Sequence, residues 1–164
     1  MINRGNCPYI AHTSDFPPEL CNCSALRQAA RHVTKLYDDA LAPLNLGVNQ
    51  YSILVRLHRL GPSALQALAR ALVTDRSTLG HLLRPLEARG LVRIETAKDD
   101  RRGRTLRVTQ AGLALIAQAR PLWARAQRRF EGRIGTEAAA GLRGMLKRIA
   151  VEDFGEPKRA VSEA

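Results

Sequence analysis

Three stretches of the 164-residue sequence carry side chains whose types and spacing could do chemistry. The first is DDRRGR at residues 99–104; with Lys98 before it and Arg107 after it, positive charges outnumber negative ones by three. An arginine at a loop tip can enter the narrow, electronegative minor groove of DNA, and a nearby aspartate can brace it. The second is RSTLGHLLR at 76–84. At 100° per residue, Leu79, Leu82, Leu83 and Leu86 fall on one side, with Ser77, His81 and Arg84 opposite and Thr78 and Gly80 on the flanks. Hydroxyl, imidazole and guanidinium groups, with a glycine permitting close approach, suit a major groove, where arginine bonds guanine O6 and N7. The third is CNCSAL at 21–26. Helix N-termini favour the thiolate form of cysteine and so raise its reactivity, whereas the structural alternative makes Cys21 and Cys23 small packing residues.

Two weaker groupings complete the inventory. His32, Tyr51 and His58, with Arg31, could line a pocket for a carboxylate. Cys7, His12, Cys21 and Cys23 lack the usual ligand spacings, so neither metal nor cofactor is expected. GxSxG, HExxH, P-loop and dinucleotide fingerprints are missing from the sequence, which argues against an enzyme.

These side chains need a frame, and periodicity supplies one. Residues 1–19 hold Pro8, Pro17 and Pro18 without a period and read as an irregular arm. Leu26, Ala29, Ala30, Val33, Leu36, Tyr37 and Ala40 predict a helix from about Leu20 to Leu41. A second helix is expected from Val48 to Leu60, with Tyr51, Leu54, Val55 and His58 on one side and Gly61-Pro62 as its stop. Ser63-Ala64-Leu65-Gln66 reads as a capping box opening a helix through Leu65, Leu68, Ala69 and Leu72. Val73-Thr74 then makes a tight connection, and Asp75 caps the helix that begins at Arg76. After Arg89-Gly90 the period falls to two: Val92 and Ile94, then Leu106 and Val108, predict two strands with DDRRGR in the loop between them. Thr109 is expected to cap a long helix with Leu113, Ile116, Ala117, Trp123, Phe130 and Ile134 as apolar positions and a bend at Pro121. Thr136 is expected to cap a last helix reaching Val151, followed by a disordered tail.

The order helix, turn, helix, then hairpin with an arginine-rich tip is that of a winged helix. The expected fold is therefore mainly α with a small β-wing. Its divisions are an arm at 1–19, a winged helix-turn-helix at 48–108, N- and C-terminal helical regions at 20–47 and 109–151, and a tail at 152–164. The formal net charge of +11 biases the partner list toward nucleic acid. No apolar run approaches a membrane span, the first residues lack a secretory h-region, and the cysteine count is odd, so a cytoplasmic protein is expected.

The segment SALQALARALVTDRSTLGHLLRPLEARGLVRIETAKDDRRGRTLRVTQAG resembles the DNA-binding core of the MarR family of bacterial regulators. Its marks are DRST opening the recognition helix, LEARGLV leading into the first strand, and DDRRGRTLRVTQAG as the wing. The resemblance implies a homodimer whose N- and C-terminal helices interleave for dimerisation and whose winged helices meet half-sites of a palindromic operator in double-stranded DNA. It implies that Arg102 is the minor-groove arginine, Asp100 its supporting acid, and that Ser77 and Thr78 lie at bases or phosphates. Arg76, His81, Arg84, Arg101 and Arg104 complete the expected DNA contacts, although family members commonly carry arginine at the position of His81. Members of this family are released from DNA by a small aromatic or phenolic acid, or by cysteine oxidation. Cys23-Ser24-Ala25-Leu26 is similar to the reactive context of the organic-hydroperoxide sensors; Tyr51 matches one of their two tyrosines, and Val48 stands at the other. The expected function is a transcriptional repressor; the competing reading is a winged-helix module for RNA or protein without effector control.

Overall fold

The computed structural model describes residues 21–96 and 104–152. The chain runs through α1 (Asn22–Leu41), a 3-10 turn (Ala42–Leu44), α2 (Val48–Leu60), β1 (Ser63–Ala64), α3 (Leu65–Leu72), α4 (Arg76–Ala88), β2 (Val92–Thr96), β3 (Arg104–Val108), α5 (Gln110–Ile134) and α6 (Thr136–Ile149). It is mainly α with a small antiparallel sheet in the order β1-β3-β2.

Apolar side chains of α2, α3, α4, β2 and β3 converge on one core. Leu41, Leu54, Leu68, Leu79, Leu86 and Leu106 are fully buried there, which removes their apolar surface from water and supplies the main stabilising term. The core takes Ile53 and Leu57 of α2 besides Tyr51 and Leu54, so that helix is buried over a wider face than its sequence period indicates. On the other side of α2, α1 packs along α5, and α6 folds back on α5. Tyr37 Oη donates to Gln127 Oε1 at 2.5 Å, Gln127 donates to Glu131 at 2.8 Å, and Arg143 donates to the same carboxylate at 3.0 Å. That chain of bonds ties α1, α5 and α6 together. Burial is the main cause of the raised Tyr37 pKa, with Glu131 adding to it and Arg143 opposing.

Several local expectations are corrected. Ser63 does not cap α3: its hydroxyl donates to the Gly61 carbonyl at 2.7 Å, and its backbone pairs with Leu106 as strand β1. The sheet thus has three strands, and α3 begins one residue later, after Ala64. Thr136 is the first residue of α6, and Gly135, at φ +90°, takes the cap position without a side-chain bond. Along α5 the buried positions are Gly112, Ala119 and Ala126, while Ala117 is exposed. Small side chains face inward there because α1 and the sheet lie close against that helix. Both α4 and α5 continue beyond their internal prolines, Pro85 and Pro121.

The expected caps at Asp75 and Thr109 are present. Thr109 Oγ1 accepts from Gly112 N at 3.1 Å and donates to Gly90 O at 2.6 Å, pinning the start of α5 to the end of α4. The strand register pairs Val92 with Val108, Ile94 with Leu106 and Thr96 with Arg104. This places residues 97–103 between the paired ends of β2 and β3. The DDRR run, Gly103, the 1–19 arm with Leu20, and all of the tail but Glu152 lie outside the described residues.

Candidate nucleic-acid interface and adjoining cleft

The turn before α4 is built by two residues. Val73, at φ +51°, ends α3 in the left-handed conformation with its N–H on the Arg70 carbonyl at 3.1 Å. A β-branched residue rarely adopts that region, and here the next N–H, of Thr74, donates to the Ala69 carbonyl at 3.1 Å and closes the turn. Asp75 then accepts from Thr78 N at 2.7 Å and caps α4. That backbone bond is the main cause of its lowered pKa, and the Thr78 side chain adds to it. A lowered folded pKa means that the ionised cap contributes stability above the ordinary aspartate range, and that this is lost as pH falls through the folded value. Asp75→Asn keeps a capping oxygen without the charge. Its melting temperature is expected to trail that of the wild type above roughly pH 5, with the gap closing toward pH 3. Parallel thermal-melt curves over that range would show that the charge at the cap is not felt.

With α4 anchored by Leu79, Leu83 and Leu86, its opposite face is exposed. Arg76, Ser77, His81 and Arg84 line one groove, about 350 Å³ in volume, between α4 and the sheet. Arg104, at the root of the wing, closes its far side, and Glu87 is its one carboxylate. The structure therefore brings together five of the residues expected at DNA. Thr78 stands apart on the cap, exposed, and Asp100, Arg101 and Arg102 lie outside the described residues. The arrangement is a basic concave face next to a paired strand, able to hold phosphate and to present donors to base edges.

The candidate sensor residues are not gathered in one place. Tyr51 and His58 border a larger cleft of about 740 Å³ among α2, α3 and α5. His32 lies elsewhere, in a groove between α1 and α5 with Phe130 and Arg133, and Arg31 borders a third depression beside Asp38. The expected grouping of His32 with Tyr51 and His58 is thereby corrected: α1 runs along α5 and turns that side chain away from α2. Sequence reasoning missed Arg56, Arg59, Arg120 and Trp123, which also border the Tyr51 cleft. Ile116, Arg120 and Trp123 recur at spacings of four and three on α5, the one signal that could have placed them on a common face. Trp123 stands between two tyrosines, its ring centroid 6.5 Å from that of Tyr37 and 6.4 Å from that of Tyr51. Burial raises the Tyr51 pKa, and the Arg120 and Arg59 guanidiniums oppose it. Cys21 and Cys23 are exposed free thiols at the start of α1.

Comparison with known proteins agrees with this architecture. The MarR family profile matches residues 46–103. A Thauera aromatica protein named as a transcriptional regulator for the hcr operon is 30% identical over 134 residues, covering 82% of this chain and 76% of that protein. The transcriptional repressor CouR bound to a 23-mer DNA duplex superposes with a TM-score of 0.74 at 29% identity, over 80% of this chain and 94% of the other. CouR from Rhodococcus jostii RHA1 bound to p-coumaroyl-CoA superposes with a TM-score of 0.66 at 28% identity, over 80% and 93%. A capped helix-turn-helix, a three-stranded wing and long flanking helices, combined with these similarities, place the chain in the MarR family of transcriptional regulators.

Proposed function

We propose that the protein is a homodimeric, sequence-specific DNA-binding repressor, acting in the cytoplasm on a palindromic operator and released by a small aromatic or phenolic ligand. The observation that carries this reading is the groove in which Arg76, Ser77, His81 and Arg84 share one basic surface with Arg104. In this reading Arg101 and Arg102 also contact DNA, Arg102 in the minor groove with Asp100 as its brace. The similar repressor CouR, bound to a 23-mer DNA duplex, supports DNA as the partner.

The dimer reading is supported by Leu142, Met145, Leu146 and Ile149, which repeat at i, i+3, i+4 and i+7 along α6 and are all exposed. Leu26 and Ile134 are exposed as well. A continuous apolar stripe of this kind is stable in water only when covered, and a second copy interleaving α1, α5 and α6 covers it. In this reading residues 20–47 and 109–151 serve dimerisation and 48–108 serve DNA. The dimer holds its two recognition helices roughly one DNA turn apart, about 34 Å. An effector bound beside α2, α3 and α5 alters that spacing and lowers operator affinity.

Titration of the purified protein against its own upstream DNA tests the reading. Affinity for one palindromic site is expected to fall steeply with salt, as counterions are released from phosphates. Sequence-independent binding, or binding insensitive to salt, would favour the RNA or protein module instead. Repeating the titration with an aromatic acid or with peroxide separates the two release routes. In the redox route Cys23→Ser abolishes release by peroxide, and retained release moves the reactive group away from Cys23.

A further inference from the structure

The C-terminal end of α4 is held from two sides. Arg89, the cap residue that follows Ala88, sends its guanidinium across to the connection between α1 and α2. Its Nη1 donates to the Asn45 carbonyl at 2.6 Å and its Nη2 to the Leu44 carbonyl at 3.3 Å. Those carbonyls lie at the end of the 3-10 turn, where helical backbone runs out of N–H partners, and one forked cation serves both. Asn45, at φ +49°, turns the chain out of that segment toward α2. The next residue after Arg89 is Gly90, whose carbonyl accepts from the Thr109 hydroxyl at the start of α5.

Arg89 lies outside the groove lined by Arg76, Ser77, His81 and Arg84, so its bonds serve a purpose other than holding phosphate there. The buried leucines of α4 keep that helix in the core, but apolar packing is non-directional and tolerates small tilts. Hydrogen bonds from a planar fork are directional. Leverage makes the difference matter. Arg76 stands 13 residues before Arg89, about 20 Å along the helix at 1.5 Å per residue. A tilt of roughly 10° at the Arg89 end moves the Arg76 end by about 3.4 Å, one base-pair step.

We infer that Arg89 is a positioning residue for operator binding. By bonding the Leu44 and Asn45 carbonyls it fixes the tilt of α4 against the segment that carries α1, and so sets the half-site spacing that the dimer accepts. The inference rests on the dimeric DNA-binding reading above and gives Arg89 no contact with DNA.

Anisotropy titrations test it with two duplexes, the palindromic site and the same site with one base pair inserted between its halves. The wild-type protein is expected to bind the longer site at least about 30-fold more weakly. Arg89→Met keeps the aliphatic stem without the donors. It is expected to bind the original site roughly tenfold more weakly and to discriminate between the two sites by only about threefold. The ratio of the two affinities does not depend on how much of the protein is folded, so lost stability alone leaves it unchanged. The salt dependence of binding is expected to match that of the wild type, since no phosphate contact is removed. Arg89→Lys keeps the charge but not the fork, and is expected to fall between the two; it decides the question should Arg89→Met fail to fold. Spacing discrimination as sharp in the variant as in the wild type overturns the inference and leaves the regulator. A salt slope shallower by about one unit per subunit also overturns it, because Arg89 would then sit on a phosphate. A wild-type protein that prefers no palindrome sinks the regulator reading, and the inference with it.

Discussion

Gly112→Ala is expected to destabilise the protein by about 3 kcal/mol, because overpacking against immovable backbone exceeds the usual cost of a surface change. Gly112 is the third residue of α5, and a methyl group there would overlap the Leu91 carbonyl oxygen and come within 2.7 Å of Val108 Cγ1. The carbonyl cannot retreat. It accepts the Thr109 N–H at 3.0 Å, while the Thr109 hydroxyl holds Gly90 O at 2.6 Å. Propensity predicts the opposite sign, since glycine inside a helix costs roughly 1 kcal/mol relative to alanine. Gly132 tests that opposite sign in the same helix, because nothing lies within 4 Å of the methyl group an alanine would add there. Thermal melts should therefore show Gly112→Ala lower by roughly 6–12 °C and Gly132→Ala level or slightly higher. A melting temperature for Gly112→Ala at or above the wild-type value would mean that α5 does not meet the sheet as closely as described.

The second large effect is expected at DNA. Arg102→Ala should weaken operator binding by about 1–3 kcal/mol per half-site, or roughly 30-fold to 10⁴-fold across a palindrome. The supporting observation is that β3 starts at Arg104, which is paired with Thr96 and lines the same groove as Arg84 and His81. Arg84→Ala should cost a similar amount but relax discrimination at one base position, as befits a base contact. Arg101→Ala should weaken all sequences alike and flatten the salt dependence by about one unit per subunit, the signature of a phosphate contact. Gel-shift or anisotropy titrations at three salt concentrations separate these patterns. Unchanged affinity of Arg102→Ala would remove the wing from the mechanism.

Legibility varied along the chain for definite reasons. Elements whose chemistry is local were readable: the Asp75 and Thr109 caps accept bonds from backbone three residues ahead, and Gly61 ends α2 at φ +73°. The leucine stripe of α4 likewise implies its opposite face, and with it the positions of Ser77, His81 and Arg84. Ser63 misled because its sequence satisfies a capping box, while Leu106, 43 residues downstream in β3, offered its backbone a better partner. The inward face of α5 misled for a related reason. Apolar bulk marks a buried face where space is available, but Gly112, Ala119 and Ala126 are buried because neighbouring elements leave room for nothing larger.

Local chemistry was therefore enough for the winged helix-turn-helix, the capped recognition helix and the basic character of its outer face. Each follows from contacts within four residues or from a period that the backbone imposes. The separation of His32 from Tyr51 and His58 came from packing alone. His32 and Tyr51 sit on helices whose relative rotation depends on how α1 meets α5, and no short-range pattern encodes that rotation. The same packing carries Arg120 and Trp123 from α5 to the side of Arg56 and Arg59 on α2, joining residues more than 50 positions apart into one charged cleft.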